Sequence, residues 1–405
     1  MGALLGLLGL GALSISSGAA MGWVVPIIPT LQVSTPAAAS TPTAPLPKVD
    51  VVAEPAEFND EPLVQEEFTP RSITILGVGD ILVHREILQQ ARVDGGDEVD
   101  FLPQLEAIRP IVESVDLAVC HMEYPLGSRE GPWSVWPDPV NAPPQLADAV
   151  ADLGFDACST ASNHTLARGF SGVTSTLEAL SAAGLAAAGT AMSEEHAQRI
   201  TMLDVQGVPV ALLSYTYGFN GIPRPFDWCC NVIEPEKIIA DAQRARAEGA
   251  AIVVVSLHQG VEGIVAPTHE QRATAEALAA SGAVNLVLGH HAHVVQPVTK
   301  IGDMWVAYGH GNLLSAQSRR DPRTGDGLLT VFTFDERPDG TFDGSLATGY
   351  ALVNQDYPFR IFPVGDPTAE SAKAEATWKR VSQQVALADD TSGFRLVRWS
   401  TADTA

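Results

Sequence analysis

Five apolar runs in this chain each end on a side chain that can bind a metal ion or move a proton. Asp80 follows ITILGVG (73–79), Glu123 follows VDLAVC (115–120), and Asn163 and His164 follow FDACSTA (155–161). His258 closes AIVVVSL (251–257), and His290, His291 and His293 follow VNLVLG (284–289). Carboxylates, an amide oxygen and imidazoles make a mixed oxygen and nitrogen set, suited to Mn, Fe or Zn rather than to an all-oxygen calcium site. In open α/β sheets, ligands gather outside the carboxyl ends of the strands, so these runs predict one shared crevice. Taken singly, each residue has a plainer role. Asp80 could cap a helix, Asn163-His164 could belong to a turn, and His258 could be a hydrogen-bonded core histidine. The cluster from His290 to His293 resists that reading, because three imidazoles in four residues repel one another when protonated. In an extended chain, residues two apart point to the same side. His291 and His293 are therefore expected to face the ions, and His290 the flanking layer.

The elements that must position these residues are legible as short β-branched runs alternating with amphipathic stretches. Besides the five runs above, VPVALLSY (208–215) and MWVAYG (304–309) read as strands, and 173–183, 235–248 and 269–281 read as helices. Such alternation predicts an α/β domain with a substantially parallel, buried sheet. GLLTVFTF (327–334), followed by Pro338-Asp339-Gly340, reads as an antiparallel strand and turn. With 405 residues, 46% of them apolar, the chain can bury a sizeable core. Its 48 acidic against 24 basic residues give a net charge of −24, which repels nucleic-acid phosphates and excludes DNA and RNA as partners. An anionic substrate would need a local positive centre, which a bound cation supplies.

Residues 1–25 carry no charged side chain and are long enough to span a bilayer before Pro26, or to serve as a signal segment cleaved near Gly18-Ala19-Ala20. Either reading exports the domain: held at the cell membrane and facing the extracytoplasmic side, or secreted after cleavage. No positively charged stretch precedes the apolar run. Residues 26–70, rich in Pro, Ala and Thr and then acidic, predict a disordered tether. The folded domain is expected over 71–355, with a C-terminal extension over 356–405. Cys120 and Cys158 lie in strand-like runs and are expected as small core residues. Cys229 and Cys230 sit in a loop-like stretch where they could pair under oxidising conditions.

Beyond these separate readings, VGDILVHRE (78–86), DLAVCHMEYPLG (116–127), the segment 153–190, VVVSLHQGVEG (253–263), VLGHHAHVVQPV (287–298) and VAYGHGNLLSAQ (306–317) form an ordered series. The series resembles that of the CapA family of bacterial capsule and poly-γ-glutamate synthesis proteins, relatives of the calcineurin-like metallophosphoesterases. The likeness spans roughly 72–318. It implies an α/β fold in which a metallophosphatase-like β-sandwich is flanked by helices, together with a role in making or anchoring an anionic cell-envelope polymer, partnership with other capsule synthesis subunits, and a two-ion site. By similarity, Asp80, Glu123, Asn163, His258, His291 and His293 are the metal ligands. Glu123 would bridge, with Asp80 and His293 on one ion and Asn163, His258 and His291 on the other. His164 would be the general acid. Arg85, Glu262, His290, His310 and Asn312 would support the ligands or meet substrate.

The chain departs from the family pattern at several points. Asn-Leu-Glu is His121-Met122-Glu123, His-Trp-Gly-x-Glu-Tyr is His258-Gln259-Gly260-Val261-Glu262-Gly263, the aspartate expected after Asn-His is Ala167, and Gly309-His310-Gly311-Asn312 stands for Ser-Leu-Gly-Asn. The expected activity is metal-dependent hydrolysis or transfer at a phosphate ester or envelope polymer. The rival expectation is a non-catalytic polymer-binding or assembly subunit with the same fold.

Overall fold

Alternation along the strands decides the layers. In the computed structural model, which describes residues 68–317, 321–365, 371–388 and 390–400, the strand Leu117–Met122 sends Leu117 and Val119 to one face and Ala118, Cys120 and Met122 to the other. The first set meets a second sheet and the second set meets helices. Strand Ile252–His258 repeats the pattern, with Ile252 and Val254 facing the opposite sheet and Val253, Val255 and Leu257 facing helices. Two sheets stacked face to face with helices outside are the consequence.

Among the described residues one sheet has nine strands. These are β1 (Ser72–Ile81), β2 (Leu117–Met122), β3 (Ala157–Ser159), β4 (Ala186–Ala188), β11 (Asn312–Leu314), β12 (Asp326–Glu336), β13 (Phe342–Asp356), β14 (Phe359–Pro363) and β15 (Phe394–Val397). The central order is β14-β13-β12-β1-β2-β3-β4, with β11 beside β1 and β15 beside β13. The second sheet, in order β5-β6-β7-β8-β10-β9, contains β5 (Thr201–Val205), β6 (Val208–Thr216), β7 (Ile252–His258), β8 (Leu286–His290), β9 (Val298–Ile301) and β10 (Met304–Ala307).

Strand and helix alternation suggested a largely parallel sheet; there are two sheets, both mixed, in keeping with the β-sandwich flanked by helices that the family resemblance implied. β1, β2, β3 and β4 run parallel, as do β6, β7, β8 and β10, while β12, β13 and β14 are antiparallel. Periodicity reports which face of a strand is buried and says nothing about which strand lies beside it. The expected antiparallel strand is β12, turned into β13 around Pro338-Asp339-Gly340. The helices Gly169–Ala182, Pro235–Ala247 and His269–Ser281 stand where amphipathic stretches predicted them. The last begins at a capping box, Thr268 with Gln271, and ends at left-handed Gly282.

The inter-sheet core holds Ile73, Ile75, Leu117, Val119, Leu212, Val254, Leu286, Leu288, Trp305 and Phe332. Residues past 355 join the same sheet and core through β14, β15 and the helix Ala372–Val385, whose Ala374, Val381 and Val385 are buried there. Cys120 and Cys158, expected as free core thiols, form a disulfide between paired positions of β2 and β3. The register brings together residues 38 apart in sequence, which no local pattern signals. Cys229 and Cys230 are buried free thiols whose sulfurs lie 2.9 Å apart. The N-terminal apolar segment and nearly all of the tether lie outside the described residues. Among those described, no helix is long and apolar enough to cross a membrane.

Candidate metal centre

The parallel strands of both sheets end at the same side of the molecule, and there the inward face changes from apolar to polar. Along β2 the inward positions run Leu117, Val119, His121; along β7 they run Ile252, Val254, Ser256, His258; along β8, Leu286, Leu288, His290. Asp80 pairs in register with His121, and His258 with His290. Asp80, His121, Glu123, His258, His290, His291 and His293 are all buried.

The Asp80 carboxylate accepts from His290 Nδ1 at 2.9 Å on Oδ1, and from the His291 backbone N–H at 3.0 Å on Oδ2, where His293 Nδ1 also lies at 3.0 Å. Burial opposes its charge, but the bonds from His290 and His293 outweigh burial and hold it well below the usual carboxylate range. Asn312, paired with Asp80 across β1 and β11, places Oδ1 3.0 Å from His293 Nδ1.

Glu123 is the opposite case. Both carboxylate oxygens are buried and neither has a hydrogen-bond partner among the described residues; His293 Nε2 and His164 Nε2 stand off at 3.8 and 3.9 Å from Oε1. Burial pushes this carboxyl well above its ordinary range. A buried carboxylate without donors is costly unless a cation meets it. The backbone here is fixed by Ser162, whose Oγ donates to Glu123 O at 2.6 Å and accepts from the His164 N–H at 3.1 Å. This ties the Asn163-His164 turn to the end of β2.

His258 Nε2 lies 3.0 Å from Asn163 Oδ1, while Asn163 Nδ2 donates to Asn220 Oδ1 at 3.3 Å. His164 is drawn down to about 4 by burial and by His293 and His291, and is neutral at pH 7. His291 is likewise lowered to about 4, by burial and by His293. His293 is raised to about 9: burial works against its charge, and Glu123 and Asp80 overcome it. The rim is aromatic. Tyr217 lies 4.6 Å from His291 between ring centres, and Trp136 lies 6.4 Å from His164.

The structure thus gathers Asp80, Glu123, Asn163, His164, His258, His291, His293 and Asn312. Glu262, exposed, comes within ligand range of His291 and His293. Arg85 is exposed at the start of the helix Arg85–Gly95. His310 is buried against Gly289 O at 3.2 Å.

His290 is placed differently from the expectation, since it faces Asp80 and not the flanking layer. The alternation argument assumed an extended chain, but β8 stops at His290, and His291 and His293 have φ of 84° and 55°. Left-handed backbone at non-glycine residues is uncommon and frequently marks a functional site. Here it turns consecutive imidazoles toward one crevice. Gly289 permits the approach, because a Cβ there would fall 1.9 Å from Tyr308 O.

His121, read only as a departure from a motif, belongs to the centre. Its position was available in the alternation Leu117, Val119, His121. Asp80, His121 and His290 offer ligand atoms within 4.8 Å of one another. The two rings, however, stack with centres 4.0 Å apart and planes at 17°. An imidazole lone pair lies in its ring plane, so one ion cannot meet both rings. The sets Asp80, Glu123 and His258, and Glu262, His291 and His293, are free of that objection. An orphaned carboxylate, the unpartnered His291 Nδ1 and the mixed donor set fit one or more divalent cations.

Residues 74–317 match the family described as bacterial capsule synthesis protein PGA_cap. The capsule biosynthesis protein CapA of Bacillus anthracis is 27% identical over 277 residues, 66% of this chain and 65% of the relative's length. The PGA biosynthesis protein CapA of Bacillus subtilis (strain 168) is 25% identical over 270 residues, covering 66% of this chain and 69% of that one. Among solved structures, the NAD nucleotidase of Haemophilus influenzae overlays on 83% of this chain and 66% of its own at 11% identity, TM-score 0.43. A 5'-nucleotidase precursor from Thermus thermophilus overlays on 78% and 59% at 13% identity, TM-score 0.43.

Proposed function

From the premise that the chain belongs to the PGA_cap family of bacterial capsule synthesis proteins, we propose that it is a metal-dependent hydrolase or transferase with a metallophosphatase-like centre. Its substrate class is a phosphate ester or an anionic, amide-linked polymer of the cell envelope, poly-γ-glutamate being the polymer the family points to. The observation that carries this reading is Glu123, a buried carboxylate with two unpartnered oxygens where strands from both sheets end. Asp80, Glu123, Asn163, His258, His291 and His293 hold two divalent ions, with Glu262 at the open side. Ions bound there supply Lewis acidity and lower the pKa of a nucleophilic water.

The chain's own groups do the rest. His164, neutral at pH 7, accepts a proton from the attacking water and returns it to the leaving group. Asn312 and Asp80 fix the ring of His293, and Tyr217 and Trp136 wall the approach. The local positive charge lets a protein of net charge −24 accept an anion. The Cys120–Cys158 disulfide supports a place outside the reducing cytoplasm, in keeping with an N-terminal membrane anchor or signal segment. Elemental analysis of the purified chain, paired with turnover of phosphodiesters and γ-glutamyl peptides, tests the proposal. Two ions and turnover are expected. A metal-free protein that binds glutamate polymer without cleaving it would replace the enzyme with an assembly subunit.

A further inference from the structure

Behind the ligands lies a histidine that the family motif does not call for. His121 is fully buried, its Nδ1 2.7 Å from Ser159 Oγ and its Nε2 2.9 Å from His258 Nδ1. Ser159 Oγ also lies within reach of Cys120 O at 3.3 Å. At the other end, His258 Nε2 faces Asn163 Oδ1 at 3.0 Å. This chain of hydrogen bonds has two self-consistent proton orders. In one, Ser159 donates to His121 Nδ1, His121 Nε2–H to His258 Nδ1, and His258 Nε2–H to Asn163. In the other, each ring carries its proton on Nδ1, Ser159 turns its hydroxyl to Cys120 O and accepts from His121, and His121 Nε2 accepts from His258. Both orders hold the same number of protons and differ only in the tautomer of two neutral rings. The second leaves the lone pairs of His258 Nε2 and Asn163 Oδ1 facing one another at 3.0 Å, an arrangement that a cation between them stabilises.

We infer that His121 is a positioning residue for the metal centre: by accepting the His258 Nδ1 proton it fixes the tautomer in which His258 Nε2 is a ligand, with Ser159 as the switchable end of the relay. This rests on the metal reading above. Metal-bound histidines are generally oriented by a partner on the other ring nitrogen. Here that partner is a second imidazole. His121 cannot itself share an ion with its neighbour His290, because the two rings stack.

The experiment uses the full chain, with zinc titration followed calorimetrically and ring tautomers read by nitrogen-15 NMR of labelled histidine. On adding zinc, His121 and His258 should both show Nδ1-protonated neutral rings. His121→Phe keeps a flat ring against His290 but cannot accept, and should weaken zinc binding about ten- to hundredfold. His121→Gln, which restores an acceptor, should recover most of that loss, and Ser159→Ala should lose less. Undiminished zinc affinity in His121→Phe, or a zinc-loaded His258 protonated on Nε2, would overturn the inference while leaving the metal centre standing. No zinc uptake by the unmodified chain would overturn the metal reading itself.

Discussion

The middle of the inter-sheet core and its carboxyl end are built from the same strands and the same inward face, with a register shift between Gly77 and Asp80 that brings Asp80 to that face, yet they do opposite things. Ile75, Leu117, Val254 and Leu286 are apolar and fully packed; four or five residues further along, the same strands present Asp80, His121, His258 and His290. The middle excludes water and stabilises the fold. The end has to hold polar groups at comparable burial, and it does so through hydrogen bonds between side chains and, at Glu123, through a carboxylate without donors that suits a cation. Strand pairing thus places Asp80, His121, His258, His290 and Asn312, and the segments beyond the strand ends add Glu123, Asn163, His164, Glu262, His291 and His293. The difference predicts that stability and metal binding can be separated by mutation.

The largest effects should come from breaking each region alone. Phe332→Ala empties a fully buried site in the middle of the sandwich and should cost about 3–5 kcal/mol while leaving metal stoichiometry unchanged. Glu123→Gln is nearly isosteric and removes a buried charge that burial already disfavours, so the metal-free protein should melt no lower than the parent. It should nevertheless lose at least one ion. Thermal unfolding and elemental analysis of the two variants check both halves. A Glu123→Gln protein that keeps its full metal content would refute the assignment of the orphaned carboxylate.

A second prediction sharpens the comparison through pH. In the metal-free protein His293, raised to about 9 against the effect of burial by Glu123 and Asp80, carries a proton at neutral pH. A ligand imidazole must be neutral and a ligand carboxyl ionised, so ion uptake at pH 7 should expel the proton of His293 together with any that burial holds on Glu123, at least one in all. Affinity should therefore rise with pH, by up to about tenfold per unit for each proton expelled, and the part due to His293 should level off near pH 9. His164 and His291, lowered to about 4, are already neutral and add no proton over this range. Calorimetry at pH 7 in buffers of different ionisation enthalpy counts the proton, and a buffer-independent heat would contradict the role given to His293.

Much of this was legible in the sequence, and the failures share a cause. Strand positions, the long helices and the convergence of Asp80, Glu123, Asn163, His258 and the late histidines follow from burial periodicity and from where polar residues interrupt it. Pairing does not follow. The split of the strands into two sheets, which the family resemblance alone implied, and the Cys120–Cys158 bond, which nothing implied, depend on which strands are neighbours. His290 was aimed the wrong way because alternation was carried past the end of β8 into residues with positive φ. His121 was overlooked for the reverse reason: alternation was not applied to it, although Leu117 and Val119 already fix its face.

The smallest expected effect concerns His310, whose place beside the centre invites the same role as His121. Its surroundings argue against that. Nδ1–H donates to Gly289 O at 3.2 Å, a long bond, and Nε2 is buried without a partner among the described residues. Burial, then His290, lowers it to about 3, so it is neutral at any working pH. A Cβ at Gly77 would lie 3.1 Å from His310 Nε2, so that nitrogen faces backbone and the nearby Leu288 rather than the ligands. Leucine, the residue of the related Ser-Leu-Gly-Asn pattern, would forfeit one hydrogen bond worth about 0.5–1.5 kcal/mol and remove a buried unpaired nitrogen that costs about 1–3 kcal/mol. His310→Leu should therefore be neutral to stabilising by about 1 kcal/mol, with zinc affinity unchanged within about twofold. Chemical denaturation and a zinc titration decide it. A tenfold loss of affinity with no loss of stability would show that His310 supports the metal centre through the stacked ring of His290, and that the polar end of the sandwich reaches deeper than its hydrogen bonds indicate.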